Sequence, residues 1–293
     1  MKRLFIGMPV FNGETYISKA LDSIIKQSFC DWQLLIADNY SSDGTERIAM
    51  EYVTKDTRIK YIQHPSNIGA LNNFIFLVNE AESDYFMWAA ADDEWSSNFL
   101  ELCVKTLDSC RDVQFVSGNV ANIDLSGTIL RKYDGFSVFD DKWIWRRLVK
   151  YLCAPEILGK ANMIYSVYRI GFCRELCGIP NVLSGWGADM TFVFAGLARG
   201  HYKYIPDITL FKRVLSESDI DTAKIAAHNN FPMLQFFGWF PITHYREYRD
   251  GYYKMSTNNP IRLIVLLIMK YRVLCLWLRL KIQSASSFVT KWM

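Results

Sequence analysis

The 293-residue sequence lacks the patterns that identify several common protein classes. Its seven cysteines form no C-x-x-C pair, and their odd number fits a reducing cytoplasm better than a secreted disulfide framework. The turn after the first predicted strand contains neither G-x-G-x-x-G nor a glycine-rich basic loop. This argues against a dinucleotide-dependent oxidoreductase and against a sugar nucleotidyltransferase. The apolar run at 263–269 is far shorter than the roughly 20 residues that span a membrane.

The first part of the chain repeats a pattern of strand, turn and helix. Apolar runs at 4–10, 32–37 and 58–63 predict buried strands, each followed by a turn and by apolar residues at helical spacing. A fourth strand is predicted to begin at Tyr85. Four strands separated by helices predict an α/β fold, with a mainly parallel sheet that is flanked by helices on both faces.

Polar side chains follow the predicted strands at their carboxyl ends. They are Asn12, Glu14, Asp38, Asn67, Asp92 and Asp93. Each type is an ordinary turn residue, and an acidic pair alone is equally well explained as a cap of the next helix. Ligands of open parallel sheets, however, bind at the carboxyl ends of the strands. Adjacent carboxylates suit Mg²⁺ or Mn²⁺ bridged to substrate phosphates, so the pattern predicts a site for a diphosphate.

Four segments together resemble a known protein family. They are MPVFNGE at 8–14, LLIADNYSSDGT at 34–45, HPSNIGA at 64–70 and YFMWAAADDEW at 85–95. Their order and spacing resemble the nucleotide-sugar half of a family 2 glycosyltransferase with the GT-A fold. The resemblance implies an inverting, metal-dependent enzyme. Such an enzyme would move a sugar from a nucleotide-diphosphate donor, UDP- or dTDP-linked, to a hydroxyl of a glycan or lipid-linked acceptor in surface polysaccharide biosynthesis.

The resemblance also implies nucleotide-binding roles for individual residues. Pro9, Phe11 and Glu14 would surround the base and the ribose. Asp38 would accept a hydrogen bond from the N3–H group of a uracil or thymine base. Asn67 would lie beside the nucleotide.

By the same resemblance, Asp92 and Asp93 would occupy the place of the family's D-x-D motif. Asp92 would bind the nucleotide-sugar, and both carboxylates would bind Mg²⁺ or Mn²⁺. The first acid of the motif is replaced by Ala90, so one ribose or metal contact is missing. This leaves open which acid binds the metal directly. It also keeps an alternative open, a non-catalytic nucleotide-sugar or glycan-binding protein of the same fold.

The second half is expected to supply the acceptor site. A glycine-rich loop at 184–187 precedes Asp189 at the start of a predicted helix, and the resemblance implies that Asp189 is the general base. A helix-capping acid is the alternative. The pair Lys212 and Arg213 lies where the family often has a basic residue near the diphosphate, although a solvated basic pair is the more ordinary interpretation. The run at 162–169 predicts a strand that crosses the sheet.

We expect a catalytic domain at 1–218, divided into a nucleotide-sugar half (1–110) and an acceptor half (111–218), with a helical extension at 219–293. Residues 241–293 carry a net charge of +7, which leaves −4 on the remainder. Between 261 and 282 the residues separate into a basic arc and an apolar arc of a helix. The cations are Arg262, Lys270, Arg272, Arg279 and Lys281, and the apolar residues are Ile264, Leu267, Ile268, Tyr271, Leu274, Leu278 and Ile282.

A basic amphipathic helix is typical of proteins that bind an anionic membrane surface. No signal peptide is evident at the start of the sequence. We therefore expect a cytoplasmic protein attached peripherally to the inner face of the plasma membrane. Packing of the helix on the catalytic domain, or on a second subunit of a homo-oligomer, is the alternative. No nucleic-acid partner is expected, because the basic surface is confined to a helix whose other side is apolar.

Overall fold

The structure, a computed structural model, describes residues 2–154, 159–183, 187–214 and 240–289. Within these ranges, side chains are described except at 240–245 and 276–289. The expected domain boundary at 218, most of the loop at 184–187 and the side chains of the predicted arc residues Leu278 and Ile282 lie outside this description. So do the cations Arg279 and Lys281 as side chains.

The nucleotide-sugar half has the predicted strand and helix order. Its strands are β1 (Leu4–Val10), β2 (Trp32–Asp38), β3 (Ile59–Gln63) and β4 (Tyr85–Trp88). Its helices are α1 (Ile17–Ile25), α2 (Thr45–Lys55) and α3 (Ala70–Glu80). The strands pair in parallel in the order β3-β2-β1-β4. All four carboxyl ends therefore meet at one edge, as the sequence predicts.

The second half extends this sheet with strands of mixed direction. Its strands are β5 (Glu94–Trp95), β6 (Val113–Ile123), β7 (Ile129–Tyr133), β8 (Val167–Arg169) and β9 (His201–Arg213). Its helices are α4 (Phe99–Ser109), α5 (Ile144–Cys153), α6 (Ile170–Cys177) and α7 (Ala188–Arg199), with 3₁₀ turns at Gly135–Phe139 and Lys160–Tyr165.

The described residues form one nine-stranded sheet in the order β3-β2-β1-β4-β8-β6-β9-β5, with β7 paired to β6. β8 is antiparallel to both β4 and β6, whereas β9 is parallel to β6. The predicted α/β fold with a helix-flanked sheet is confirmed, and the continuous parallel part of the sheet ends at β4.

The strand predicted at 162–169 is correct only for its last three residues. Lys160–Tyr165 forms a 3₁₀ turn instead, because tertiary hydrogen bonds hold it in place. The Lys160 ammonium donates to the carbonyl oxygen atoms of Tyr151 and Ala154, both at 2.7 Å. The Tyr168 hydroxyl donates to the carbonyl oxygen of Met163 at 2.9 Å. None of these partners can be identified from a local apolar pattern.

Trp88 joins the two halves in the core. Its indole ring makes edge contacts with Tyr168 of β8 and Phe192 of α7, at centroid distances of 6.1 and 5.4 Å. Its ring N–H group donates to the carbonyl oxygen of Phe74 at 3.1 Å. A single cluster of buried apolar residues includes side chains from both halves. The acceptor half is therefore packed directly on the nucleotide-sugar half.

Two further helices complete the described fold, α8 (Phe240–Met255) and α9 (Asn259–Val289). The Arg199 guanidinium of α7 donates to the carbonyl oxygen of Met255 at 2.9 Å, which ties α8 to α7. One face of α9 is buried on the domain through Ile261, Val265 and Met269. Among the described residues, no helix combines the length and the apolar character needed to cross a membrane.

Candidate active site

The acidic turn lies at the carboxyl end of β4, between Trp88 and the short strand β5. Asp92 is exposed and lines a cavity of about 350 Å³. Pro9 and Phe11, from the turn after β1, line the same cavity, and the Phe11 ring is 53 % exposed. Ala90, where the family motif has its first acid, also lies in this wall. The structure thus brings Pro9 and Phe11 together with Asp92 in one cavity.

Asp93 differs from its neighbour because it is buried, with only 1 % of its surface exposed. Its Oδ1 atom accepts a hydrogen bond of 2.9 Å from the backbone N–H group of Arg213. Its buried Oδ2 atom has no hydrogen-bond partner in the part of the chain that the structure describes. Burial raises the pKa of Asp93 to about 6, with the Asp92 charge adding to the effect and Lys212 opposing it.

Arg213 holds the backbone around this turn. Its side chain donates to the carbonyl oxygen atoms of Asp92 at 3.1 Å and of Asp124 at 2.7 Å, and it forms a salt bridge with Glu94. Its guanidinium also lies over the ring of Tyr16, 4.9 Å from the centroid. The acidic turn is therefore fixed by a buried arginine from the other half of the protein.

Asp189 lies in the first turn of α7 and lines a second cavity of about 530 Å³. Phe74 and Tyr165 line both this cavity and the one that contains Asp92. The two predicted carboxylates therefore face neighbouring compartments of one cleft. The Asp189 carboxylate is exposed to the cleft and accepts a hydrogen bond of 2.7 Å from the N–H group of Met190. Desolvation by the surrounding protein raises its pKa, against the opposing effects of that N–H group and of Lys212.

Lys212 lies close enough to the carboxylates of the cleft for their charges to act on it. It lines the second cavity beside Asp189, and its ammonium group is 5.6 Å from the centroid of the Tyr165 ring. Burial works against its charge, but the surrounding acids, Asp93 first among them, hold the pKa of Lys212 above its ordinary value. Interpreting Lys212 and Arg213 as a solvated pair is therefore wrong. The two residues end a long strand, 120 residues after the acids. Their proximity to the acids becomes visible only once the pairing of the strands is known.

Glu14 and Asn67, also predicted to bind the nucleotide, are not among the residues that line the two cavities. Glu14 is exposed, and its carboxylate accepts a hydrogen bond of 2.9 Å from the N–H group of Gly44 at the start of α2. Asn67 is exposed, and its amide oxygen accepts a hydrogen bond of 2.8 Å from the side-chain amide of Asn39. Both side chains are held by a neighbouring turn.

Asp38 is fully buried, which the sequence does not predict. Its carboxylate accepts hydrogen bonds from the Ser41 N–H group at 2.8 Å and from the Tyr61 hydroxyl at 2.7 Å. Both oxygen atoms of Asp38 thus have protein donors in this structure. Asp38 has no exposed surface, so a base that bound here would have to displace a neighbouring group such as the Tyr61 side chain.

Whether the cleft fits a divalent metal can be judged from its oxygen donors. Across the described ranges there is no group of three or more His, Cys, Asp or Glu side chains that could hold a metal alone. Mg²⁺ and Mn²⁺ commonly use one or two carboxylates together with waters and substrate phosphates. The exposed Asp92 meets that requirement. The next residue, Asp93, has an Oδ2 atom without a hydrogen-bond partner among the described residues. The donors therefore fit a metal that is shared with a bound diphosphate.

Comparison with known sequences gives consistent matches. A family model described as "Glycosyl transferase family 2" matches residues 5–174. The chain is 29 % identical over 145 residues to the Escherichia coli "UDP-Glc:alpha-D-GlcNAc-diphosphoundecaprenol beta-1,3-glucosyltransferase WfgD". That match covers 50 % of this chain and 54 % of WfgD, so the chain spans only about half of that relative. The "Putative glycosyltransferase EpsE" of Bacillus subtilis is 31 % identical over 235 residues, which cover 75 % of this chain and 79 % of EpsE.

Solved structures of similar fold include complexes with nucleotide sugars. Staphylococcus aureus TarS 1–349 in complex with UDP-GlcNAc has a TM-score of 0.59 at 16 % identity, and the match covers 91 % of this chain and 70 % of that one. The mannosyltransferase PcManGT from Pyrobaculum calidifontis, in complex with GDP-Man and Mn²⁺, has a TM-score of 0.56 at 13 % identity. That match covers 98 % of this chain and 81 % of PcManGT. At such low identity the likeness establishes the fold alone, and it confirms the expected GT-A fold.

Proposed function

The chain belongs to glycosyl transferase family 2, and on this basis we propose that it is an inverting glycosyltransferase with a nucleotide-diphosphate sugar donor. The observation that carries the proposal is the cleft in which Asp92 and Asp189 line neighbouring cavities with a shared wall. A uridine nucleotide is the favoured donor class. UDP-Glc in the name of WfgD and UDP-GlcNAc in the TarS complex support that choice.

The donor would occupy the smaller cavity, with Pro9, Phe11 and Glu14 around the base and the ribose and Asn67 beside the nucleotide. Asp38 would accept the N3–H group of the base in place of the hydrogen bond that Tyr61 donates in this structure. The exposed Asp92, with Asp93 behind it, would hold Mg²⁺ or Mn²⁺ against the diphosphate. When bound, such an ion stabilises negative charge on a leaving diphosphate. The Mn²⁺ in the PcManGT complex supports this assignment.

The acceptor would enter the larger cavity, where Asp189 would act as the general base. Its raised pKa makes the carboxylate a stronger proton acceptor than an ordinary aspartate. As the acceptor oxygen forms a bond to the anomeric carbon, the bond from that carbon to the diphosphate breaks on the opposite face of the sugar. The hydroxyl proton passes to Asp189 and the electron pair leaves with the diphosphate, so one base is sufficient.

We further propose that the acceptor is a glycan or a lipid-linked glycan and that the protein acts in surface polysaccharide biosynthesis. A lipid diphosphate acceptor is part of the name of WfgD, which supports the proposal. Peripheral attachment to the inner face of the plasma membrane would place the enzyme beside such an acceptor, and α9 would provide it. The catalytic domain would extend over 1–218, and the extension over 219–293.

Donor binding and turnover together test the proposal. Thermal stabilisation by UDP-, dTDP- and GDP-sugars, each with and without Mn²⁺, would identify the donor. Release of the nucleoside diphosphate, with and without added acceptor glycans, would then measure hydrolysis and transfer. The alternative, a non-catalytic binding protein, is suggested by Ala90 in the cavity wall. Saturable binding without turnover on any donor would establish that alternative and overturn the enzyme.

A further inference from the structure

We propose that the start of α5 and the outward face of α9 form one surface that binds an anionic lipid bilayer. The residues of this two-helix surface are Trp143, Ile144, Trp145, Leu263, Leu266, Leu267, Tyr271 and Leu274. The inference rests on the proposed membrane attachment through α9 and extends it to a second segment, 120 residues earlier in the chain, which the sequence pattern does not identify.

The outward face of α9 is apolar although the helix already packs on the domain. Leu263, Leu267 and Tyr271 are 57 %, 60 % and 67 % exposed. Ile261 and Val265 lie on the opposite side of the helix and are buried. The burial of one face therefore accounts for only part of the apolar surface of α9. Contiguous exposed apolar residues on a helix mark an interaction surface.

The start of α5 exposes two tryptophans. Trp143 and Trp145 are 52 % and 57 % exposed, and Ile144 between them is 40 % exposed. Further along the same helix, Leu148 and Tyr151 are buried against the core. Tryptophan is enriched at the water interface of bilayers because its apolar ring and its polar N–H group suit that boundary. The two exposed tryptophans therefore favour a bilayer as the partner of this surface.

Hydrogen bonds establish the direction of α5 relative to α7. The Tyr151 hydroxyl donates to the carbonyl oxygen of Met190 at 3.0 Å, near the start of α7. The Arg147 side chain donates to the carbonyl oxygen of Leu197 at 2.6 Å, near its end. The later residue of α5 thus meets the earlier residue of α7, so the two helices run antiparallel.

α9 runs in the same direction as α5. Tyr248 of α8 lies against Gly187 just before α7, and Met255 at the end of α8 lies beside Arg199 at the end of α7, so α8 is parallel to α7. α9 follows α8 after residues 256–258 and packs back against it and against α5. Arg272 of α9 then donates to the carbonyl oxygen of Leu152 of α5 at 2.7 Å.

This register brings the exposed residues of the two helices to the same level. Arg272 contacts Leu152, and both helices rise about 1.5 Å per residue. An equal number of residues before that contact, the first turn of α5 is therefore level with the first turns of α9. Trp143 and Trp145 therefore lie at the same end of the helix pair as Leu263 and Leu267. The exposed tryptophans and leucines are thus level along the helix pair, as a shared surface requires.

The charge on this surface favours anionic lipid over other partners. Neither α5 nor α9 contains an aspartate or a glutamate. Among their described cations, Lys270 is exposed and Arg262 is half-buried, and the exposed Arg146 pairs with Asp141 just before α5. In a symmetric dimer formed through this face, like charges would meet across the two-fold axis, which opposes association. Anionic headgroups, in contrast, attract basic residues beside a bilayer.

The surface also has a functional orientation. Tyr151 and Arg272 lie toward the end of the helix pair that is nearest to the start of α7, where Asp189 lines the acceptor cavity. The tryptophans lie at the other end of the pair, whereas the exposed Tyr271 and Leu274 lie beside Arg272, so a bilayer that contacted the whole surface would extend along the pair toward the start of α7.

Vesicle binding of the full chain tests the proposal. The protein would be mixed with vesicles of phosphatidylcholine alone or with added phosphatidylglycerol, and the bound fraction measured by flotation. Wild type should bind only the anionic vesicles. The double variants Trp143→Ser with Trp145→Ser, and Leu263→Ser with Leu267→Ser, should each bind roughly tenfold or more weakly. Met50→Ser on α2, which is 43 % exposed, is the matched control and should bind as wild type.

Three outcomes would overturn the proposal. Wild type could bind both kinds of vesicle equally, or the tryptophan double variant could bind anionic vesicles as well as wild type does. The third is a tryptophan double variant whose oligomeric state on gel filtration differs from that of wild type. The last result would identify a subunit interface instead. Donor hydrolysis measured without vesicles should be unchanged in both double variants, because none of the four residues lines the cleft. An inactive wild type in that assay would count against the proposed enzyme and would leave the vesicle result unaffected.

Discussion

The backbone N–H group of Arg213 lies 2.9 Å from Oδ1 of Asp93 and donates a hydrogen bond to it. This contact joins the end of β9 to the acidic turn after β4. It also places the neighbouring Lys212 among the acids of the cleft, where its charge acts on Asp92, Asp93 and Asp189. The cleft therefore combines acids from the first half of the chain with cations from the second, and its chemistry depends on both.

Replacing Asp189 with asparagine should abolish transfer and preserve donor binding. Asparagine can still accept the hydrogen bond from the Met190 N–H group, so α7 should remain intact, but it cannot accept the proton of the acceptor. We expect kcat to fall by about 10²–10⁴. Product formation and donor affinity, measured on the same preparation, check the prediction. Asp207→Asn, an exposed acid on β9, is the control. Residual transfer within tenfold of wild type would exclude Asp189 as the base.

Asp92 and Asp93 should respond differently to the same substitution. Asp92→Asn removes the exposed carboxylate, so donor binding in the presence of Mn²⁺ should weaken by roughly tenfold or more. Asp93→Asn keeps an oxygen atom that can accept from the Arg213 N–H group, and its loss of Mn²⁺ dependence should be smaller. Calorimetric titration of donor with and without Mn²⁺ measures both effects. If only the Asp93 variant loses the metal effect, the order of the two roles is reversed.

Replacing Lys212 with methionine should shift the pH dependence of transfer. A base must be ionised, so kcat/KM rises with pH through the pKa of Asp189, which desolvation by the surrounding protein holds above its ordinary value. Lys212 opposes that increase, because a nearby cation favours the ionised carboxylate. Its removal should therefore raise the pKa of Asp189 further and move the acidic limb of the profile to higher pH. Lys203→Met on the same strand, where the lysine pairs with Asp140, should leave the limb in place.

Gly187→Ala should destabilise the start of α7. Gly187 has a φ of 70°, and a Cβ atom there would lie 2.0 Å from Cε1 of Tyr248. We expect a loss of about 3 kcal/mol in the free energy of unfolding, from left-handed backbone strain and a steric clash together. Gly127 also has a positive φ, 94°, but a Cβ atom there would have no atom within 4 Å, so Gly127→Ala should lose only about 1 kcal/mol. Urea denaturation measures both, and equal losses would refute the role of the Tyr248 contact.

Local sequence features were sufficient for the nucleotide-sugar half. β1 and β3 end at the predicted residues, and β2 ends one residue later, because apolar periodicity and turn residues act between close neighbours in the chain. The convergence of turn residues at one sheet edge follows from the parallel order of the strands. Phe11 and Asp92 accordingly line the same cavity, as the resemblance to the family implies.

The prediction for α9 was incomplete because local patterns do not show tertiary contacts. Its amphipathic pattern is visible in the sequence, but a helical wheel does not show which side packs on the domain. Ile264 and Ile268, assigned to the apolar arc, are half-buried, whereas Leu263 and Leu266 are exposed. Which apolar residues remain outside was decided by the contacts of α9 with α8 and α5.

The sequence by itself determined the order of strands and helices and the identity of the acids, since both are written in short-range patterns. Only the tertiary structure decided that Asp38 is enclosed, that Asp93 is bonded to the backbone of Arg213, and that Lys212 lies beside Asp189. Desolvation and charge interactions depend on distances between groups in space. Those distances are set by the pairing of strands far apart in the chain, which no local pattern records.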